Sequence, residues 1–78
     1  MTINEVMRLA MKSRGLTQQA VADKAGYARQ TNVSEVLRSK NATIGNILKV
    51  LNVCGYDVVV VDKENPERRY TIDIGEQL

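Results

Sequence analysis

The segment Leu16-Thr17-Gln18-Gln19-Ala20-Val21-Ala22-Asp23-Lys24-Ala25-Gly26 constrains the fold more than any other stretch of this 78-residue chain. Thr17 is a helix-capping residue, Val21, Ala22 and Ala25 recur at helical spacing, and Gly26 can take the positive φ that ends a helix. Two short helices cross at close range only where the contact residue is small and the turn tolerates a left-handed backbone. Ala22 and Gly26, four apart, meet both needs. Val33 and Val36 supply inward positions after the turn, so the spacing predicts a second short helix packed across the first.

The flanking sequence extends this pattern in both directions. Thr2-Ile3-Asn4-Glu5 fits the S/T-x-x-E capping box. Ile3, Val6, Met7, Ala10 and Met11 then repeat as one helical face that ends near Arg14-Gly15. The helix after the turn begins near Gln30 and buries Val33, Val36 and Leu37. Ser39-Lys40-Asn41 reads as a loop, and Thr43 caps a fourth helix with Ile44, Ile47, Leu48 and Leu51 inward and Gly55 as its stop. From there the period changes. Tyr56-Asp57-Val58-Val59-Val60-Val61-Asp62 is β-branched, Lys63 to Arg68 forms a polar turn around Pro66, and Arg69 to Ile74 alternates polar with apolar. The tail Gly75-Glu76-Gln77-Leu78 is expected to fray. The fold expected is one mostly α domain, with four helices over residues 1–54 and a two-stranded β-hairpin over residues 56–74.

Composition removes most catalytic readings. The chain has no His, the residue on which proton transfer at neutral pH most often relies. Glu5, Asp23, Glu35 and Asp57 form no recognisable acid–base pair, no nucleophile–base set is visible, and there is no Gly-rich phosphate loop. A non-enzyme without cofactor or metal is expected. Cys54 is the single cysteine and sits among apolar neighbours, so a buried structural thiol is the reading. The first residues lack a cationic stretch followed by an apolar one, and the aliphatic run Val58–Val61 is far too short to cross a bilayer. A cytoplasmic protein without a membrane partner is the expectation.

Charge is unevenly distributed. Residues 1–41 carry seven basic side chains against three acidic ones, and residues 42–78 carry four against six. A polyanion facing the first part accounts for this, and so does an ordinary solvated surface.

Leu16-Thr17-Gln18 at the opening of the motif and Ala25-Gly26 at its close resemble the Cro-like and lambda-repressor-like helix-turn-helix family, also called XRE, over roughly residues 3–54. The resemblance implies a lambda-repressor-like fold and a transcriptional regulator that binds double-stranded DNA. One departure stands out. The family usually places its next buried aliphatic residue six positions beyond the turn glycine, which here is Asn32. A buried, unpartnered Asn costs about 1–3 kcal/mol, and Val33 is adjacent, so one additional residue is expected within Tyr27-Ala28-Arg29-Gln30.

In proteins of this type the second helix of the motif enters the major groove, with its N-terminal residues nearest the bases. The residues expected to read bases are Gln30, Thr31, Asn32 and Ser34, with Arg29 reading guanine or touching phosphate. Glu35 either accepts from cytosine or pairs with Arg38. A polar, solvated helix face is the alternative for each of these residues. By the same resemblance, phosphate contacts are expected from Gln18, Lys40 and Asn41, with Thr43, Arg14 and Arg38 as further candidates.

Many members of the family end in a fifth helix; this chain ends in two strands. Val58 and Val60 point to one face of the first strand, Val59 and Val61 to the other, and a lone hairpin on a helical core buries one face only. Dimerisation through Val58, Val59, Val60, Val61, Tyr70 and Ile72 is therefore expected, with strands paired across a two-fold axis. A hairpin packed on its own helices in a monomer is the alternative. The functional expectation is a homodimeric, repressor-like regulator acting on an inverted repeat. The alternative is an antitoxin-like or inhibitory interaction module whose β region binds a toxin-like protein.

Overall fold

A computed structural model describes residues 1–73. Its elements run α1 (Ile3–Arg14), α2 (Gln18–Ala25), α3 (Gln30–Arg38), α4 (Ile44–Val53), β1 (Val58–Val61) and β2 (Arg69–Ile72). The expected mostly α fold, with four helices followed by a two-stranded hairpin, is the one observed. The extension of the second strand to Ile74, and the tail beyond it, lie outside the described residues.

Threonine side chains start α1, α2 and α4, and glycines in the left-handed region end α1 and α2. The Thr2 hydroxyl accepts from the Glu5 N–H at 3.2 Å, and the Glu5 carboxylate accepts from the Thr2 N–H at 2.7 Å, completing the capping box. Thr17 and Thr43 cap α2 and α4 by accepting from the N–H groups of Ala20 and Asn46. At the end of α2, Gly26 takes φ of 81°, and the chain turns back so that the Tyr27 N–H donates to the Ala22 carbonyl at 2.9 Å. An L side chain at this φ is strained by roughly 1–2 kcal/mol, which is why glycine holds the turn.

The core lies where the four helices meet. Met7 of α1, Val21 and Ala22 of α2, Val33 and Leu37 of α3, and Val50 of α4 are almost wholly removed from solvent. Ala22 lets α2 and α3 approach closely, since its methyl group is the whole contact. Val33 is 0% exposed while Asn32 is half-buried, and α3 starts at Gln30, so the inward position falls on Val33.

Two sequence expectations for α4 change. Ile44 was expected inward but is 55% exposed, and Val50 joins Ile47, Leu48 and Leu51 inside. Ile44 lies on the correct angular stripe, yet as the first residue of the helix it projects past the end of the core, where no neighbouring helix reaches it.

The hairpin is antiparallel, with Val58 opposite Ile72, Val59 opposite Thr71, Val60 opposite Tyr70 and Val61 opposite Arg69. Among the described strand residues, Val58 is the one packed against the helical core. Both Val58 and Ile72 are half-buried, whereas Val59, Val60, Val61 and Tyr70 are 40%, 53%, 44% and 63% exposed. The hairpin thus roots at one end and projects from the body.

Candidate nucleic-acid interface

Helix α3 buries Val33, Val36 and Leu37, which turns Thr31, Glu35 and Arg38 to solvent at the centre of the opposite face. Gln30 and Ser34 flank that centre on one side, and Asn32 on the other. The Ser34 hydroxyl donates to the Thr31 carbonyl at 3.1 Å. Asn32 has a local task as well: its Oδ1 accepts from the Arg29 N–H at 3.0 Å and closes the start of the helix. Its amide N–H groups stay available, and the second lone pair of Oδ1 is what remains for the acceptor half of a paired contact with adenine.

Open grooves border α3 on both flanks. One, of about 280 Å³, runs between Asn32 and Glu35 of α3 and the loop and helix start carrying Asn41, Thr43 and Asn46, with Tyr27 at its side. The Ser39 hydroxyl accepts from the Asn41 N–H at 3.1 Å, shaping the loop that carries exposed Lys40 and Asn41. The other groove, on the Leu37 flank, is lined by Gln18 at the start of α2 together with Arg8 and Lys12 of α1. The exposed face of α3 therefore stands between two recesses edged with hydrogen-bond donors.

Four side chains to which sequence reasoning gave no such role hold this geometry. The Asn4 amide donates to the carbonyls of Leu37 and Ser39 at 2.7 and 2.9 Å, tying the start of α1 to the end of α3. Those carbonyls would otherwise be unpaired at the helix terminus. The Tyr27 hydroxyl donates to Asn46 Oδ1 at 2.7 Å, and Lys49 lies over the Tyr27 ring, 5.3 Å from its centroid. Burial pushes the Tyr27 phenol up from its ordinary range. The turn of the motif is thereby latched to the start of α4. No local pattern encodes these contacts, because each joins residues far apart in the chain.

Arg14 sits elsewhere. Its Nε donates to the Cys54 carbonyl at 2.9 Å, and its guanidinium lies 4.9 Å from the centroid of the Tyr56 ring. The Tyr56 hydroxyl is 2.7 Å from the Ser13 hydroxyl, so the end of α1 is clamped to the end of α4. Arg14, one of the expected phosphate contacts, is thus engaged in a helix-to-helix tie. Cys54 is buried beneath it. Desolvation pushes its thiol up, partly opposed by the nearby Arg14 charge.

Among the described residues no group of Cys, Asp and Glu is clustered as a metal ion requires, and no helix is long and apolar enough to cross a membrane. An apolar recess lined by Met1, Val6, Leu9, Leu51 and Tyr56 lies on the face of α1 opposite Arg8 and Lys12.

Comparison with known proteins agrees with this architecture. No curated protein and no solved structure matches the chain. A family model described as helix-turn-helix matches residues 7–61, from the core of α1 through the end of β1. With crossed helices α2 and α3 joined at Gly26 inside that match, the chain belongs to the Cro-like (XRE) helix-turn-helix family of DNA-binding regulators.

Proposed function

We propose that this regulator is repressor-like and binds an inverted-repeat operator as a homodimer, with α3 in the major groove. The carrying observation is the polar face of α3 standing between two donor-lined grooves. A major groove is bordered by two phosphate backbones, and a reading helix needs anchors on both sides of itself. Gln18, with Arg8 and Lys12 beside it, serves one backbone; Lys40, Asn41 and Thr43 serve the other, and Arg38 reaches phosphate from the end of α3. Arg29, Gln30, Thr31, Ser34 and Glu35 read base edges, and Asn32 contributes its free amide N–H groups. Gln30 suits adenine and Arg29 suits guanine, each by a paired contact.

The homodimer rests on the exposed Val59, Val60, Val61 and Tyr70. A projecting two-stranded hairpin is marginal by itself in water, and apolar residues on both its faces call for a cover. A two-fold axis through such a contact makes the operator symmetric, with half-sites about one helical turn apart. The same valines would serve a different, toxin-like protein in an interaction module; stable copurification of such a partner would favour that reading.

Selecting bound duplexes from a random pool tests the proposal, with a symmetric consensus expected. Against that consensus, Gln30→Ala should lose about 1–3 kcal/mol of discrimination at one position of each half-site. Lys40→Ala should instead weaken binding to all duplexes and reduce the salt dependence by about one counterion per protomer. Equal loss of specific and non-specific affinity in both variants would refute the division between reading and anchoring residues.

A further inference from the structure

The two edges of the hairpin differ, and the difference selects a partner and a register. The Asp62 N–H donates to the Arg68 carbonyl at 3.0 Å, so Asp62 faces β2. Backbone direction alternates along an antiparallel strand, so Val60 and Val58 also face β2, while Val61, Val59 and Asp57 turn their N–H and C=O groups to the open edge. Among the described residues, the N–H groups of Val59 and Val61 have no backbone partner on that edge. Proteins guard open edges with charge, proline or a bulge. The β2 edge has Arg69, whose guanidinium reaches the Pro66 carbonyl, beside Arg68, which pairs with Asp62. The β1 edge has four valines, with charge only at its ends.

We propose that the β1 edge pairs antiparallel with β1 of a second copy, with Val60 on the two-fold axis and Val59 of each copy opposite Val61 of the other. This rests on the homodimer proposed above and specifies its contact. Only registers that set outward-facing residues against outward-facing ones can form hydrogen bonds, so the axis passes through a residue and not between two. Charge then chooses which residue. An axis at Val60 brings Asp57 of each copy beside Lys63 of the other, at both ends of the contact. Moving the axis to Val59 sets Asp57 against the apolar Val61, and moving it to Val61 sets Lys63 against the apolar Val59. The Val60 register does place Asp62 across from Val58, but that carboxylate already accepts from the N–H groups of Glu64 and Asn65 within its own turn.

In this register both copies present Val60 and Tyr70 on the same face of a four-stranded sheet, the face on which Val58 meets its helices. The projecting end of each hairpin then lies beside the root of the other. The unprotected edge is consumed, and the two α3 helices are held at a fixed separation.

Cysteine trapping tests the register. Val60 of each copy would form a non-hydrogen-bonded pair, with Cα atoms about 4.5 Å apart, within the range a disulfide spans. Val59 of one copy lies diagonal to Val59 of the other at roughly 7–8 Å, too far to bridge, and the same holds for Val61. With oxidised glutathione, Val60→Cys should form a disulfide-linked dimer at least about ten times faster than Val59→Cys or Val61→Cys alone. A mixture of Val59→Cys and Val61→Cys should regain cross-linking. The wild-type chain, whose Cys54 is buried, serves as control, and light scattering should give it the dimer mass. A dimer that cross-links through Val59→Cys alone, or through neither Val60→Cys nor the mixture, would overturn this register while leaving the homodimer standing. A wild-type monomer at tens of micromolar would overturn both.

Discussion

Leu37, Val21 and Val33 are sealed inside the helical body, whereas Val59, Val60, Val61 and Tyr70 of the hairpin are exposed by two-fifths or more. The same residue type, valine, is thus treated in opposite ways within one short chain. Burying a valine or leucine side chain contributes about 1.5–3 kcal/mol. The body collects that contribution from its own four helices, and it needs no partner to do so. The hairpin gains it at Val58 and little beyond. A region that completes its burial internally is built for stability, and one that leaves a β-branched row in water is built for contact.

The comparison can be broken most directly in the core. Leu37→Ala should cost about 2–5 kcal/mol in urea unfolding. Val61→Ala, measured at the lowest workable concentration, should stay within about 0.5 kcal/mol. A Val61→Ala cost rivalling that of Leu37→Ala would mean that the hairpin belongs to the folded core of a single copy.

Gly26→Ala asks whether the body's stability also depends on its turn. A Cβ at Gly26 meets nothing within 4 Å, so its cost is the left-handed φ alone, about 1–2 kcal/mol. Gly45→Ala, within α4 and equally unobstructed, should gain about 0.5–1 kcal/mol. Opposite signs for the two glycines by thermal or urea unfolding would sharpen the argument, and equal signs would break it.

The smallest effect lies at the start of α1. The Thr2 N–H and hydroxyl hold the Glu5 carboxyl below its ordinary value of 4.5. A carboxylate whose folded pKa is depressed stabilises the fold above its unfolded pKa, and that help is lost as pH falls through the folded pKa. Protection factors in the first turns of α1, taken relative to the intrinsic exchange rate at each pH, should therefore hold above about pH 5 and decline as the pH falls below 4.5. Glu5→Gln should flatten that dependence.

Much of the fold was legible from residues close together in the chain. The threonine caps, the stop at Gly26 and the change of period after Gly55 each rest on patterns spanning a few neighbouring residues. The polar face of α3 followed from the same period, since naming Val33, Val36 and Leu37 as inward assigns the opposite side. The surroundings of that face were less legible. Arg8 and Lys12 look like ordinary charged residues on α1 until packing brings them beside Gln18, and Arg14 looks free until α4 offers it a carbonyl and an aromatic ring.

What the amino-acid order determined by itself was the set of elements, their ends and the side of each helix that turns inward. These are matters of backbone preference and of apolar residues recurring at a fixed period. Tertiary structure alone decided that Ile44 overhangs the core while Val50 enters it, that Asn4 ties α1 to the end of α3, and that Val58 is the single described strand residue packed against the helices. Those outcomes depend on where distant segments meet, and a contact between residues thirty or more apart has no signature in either segment.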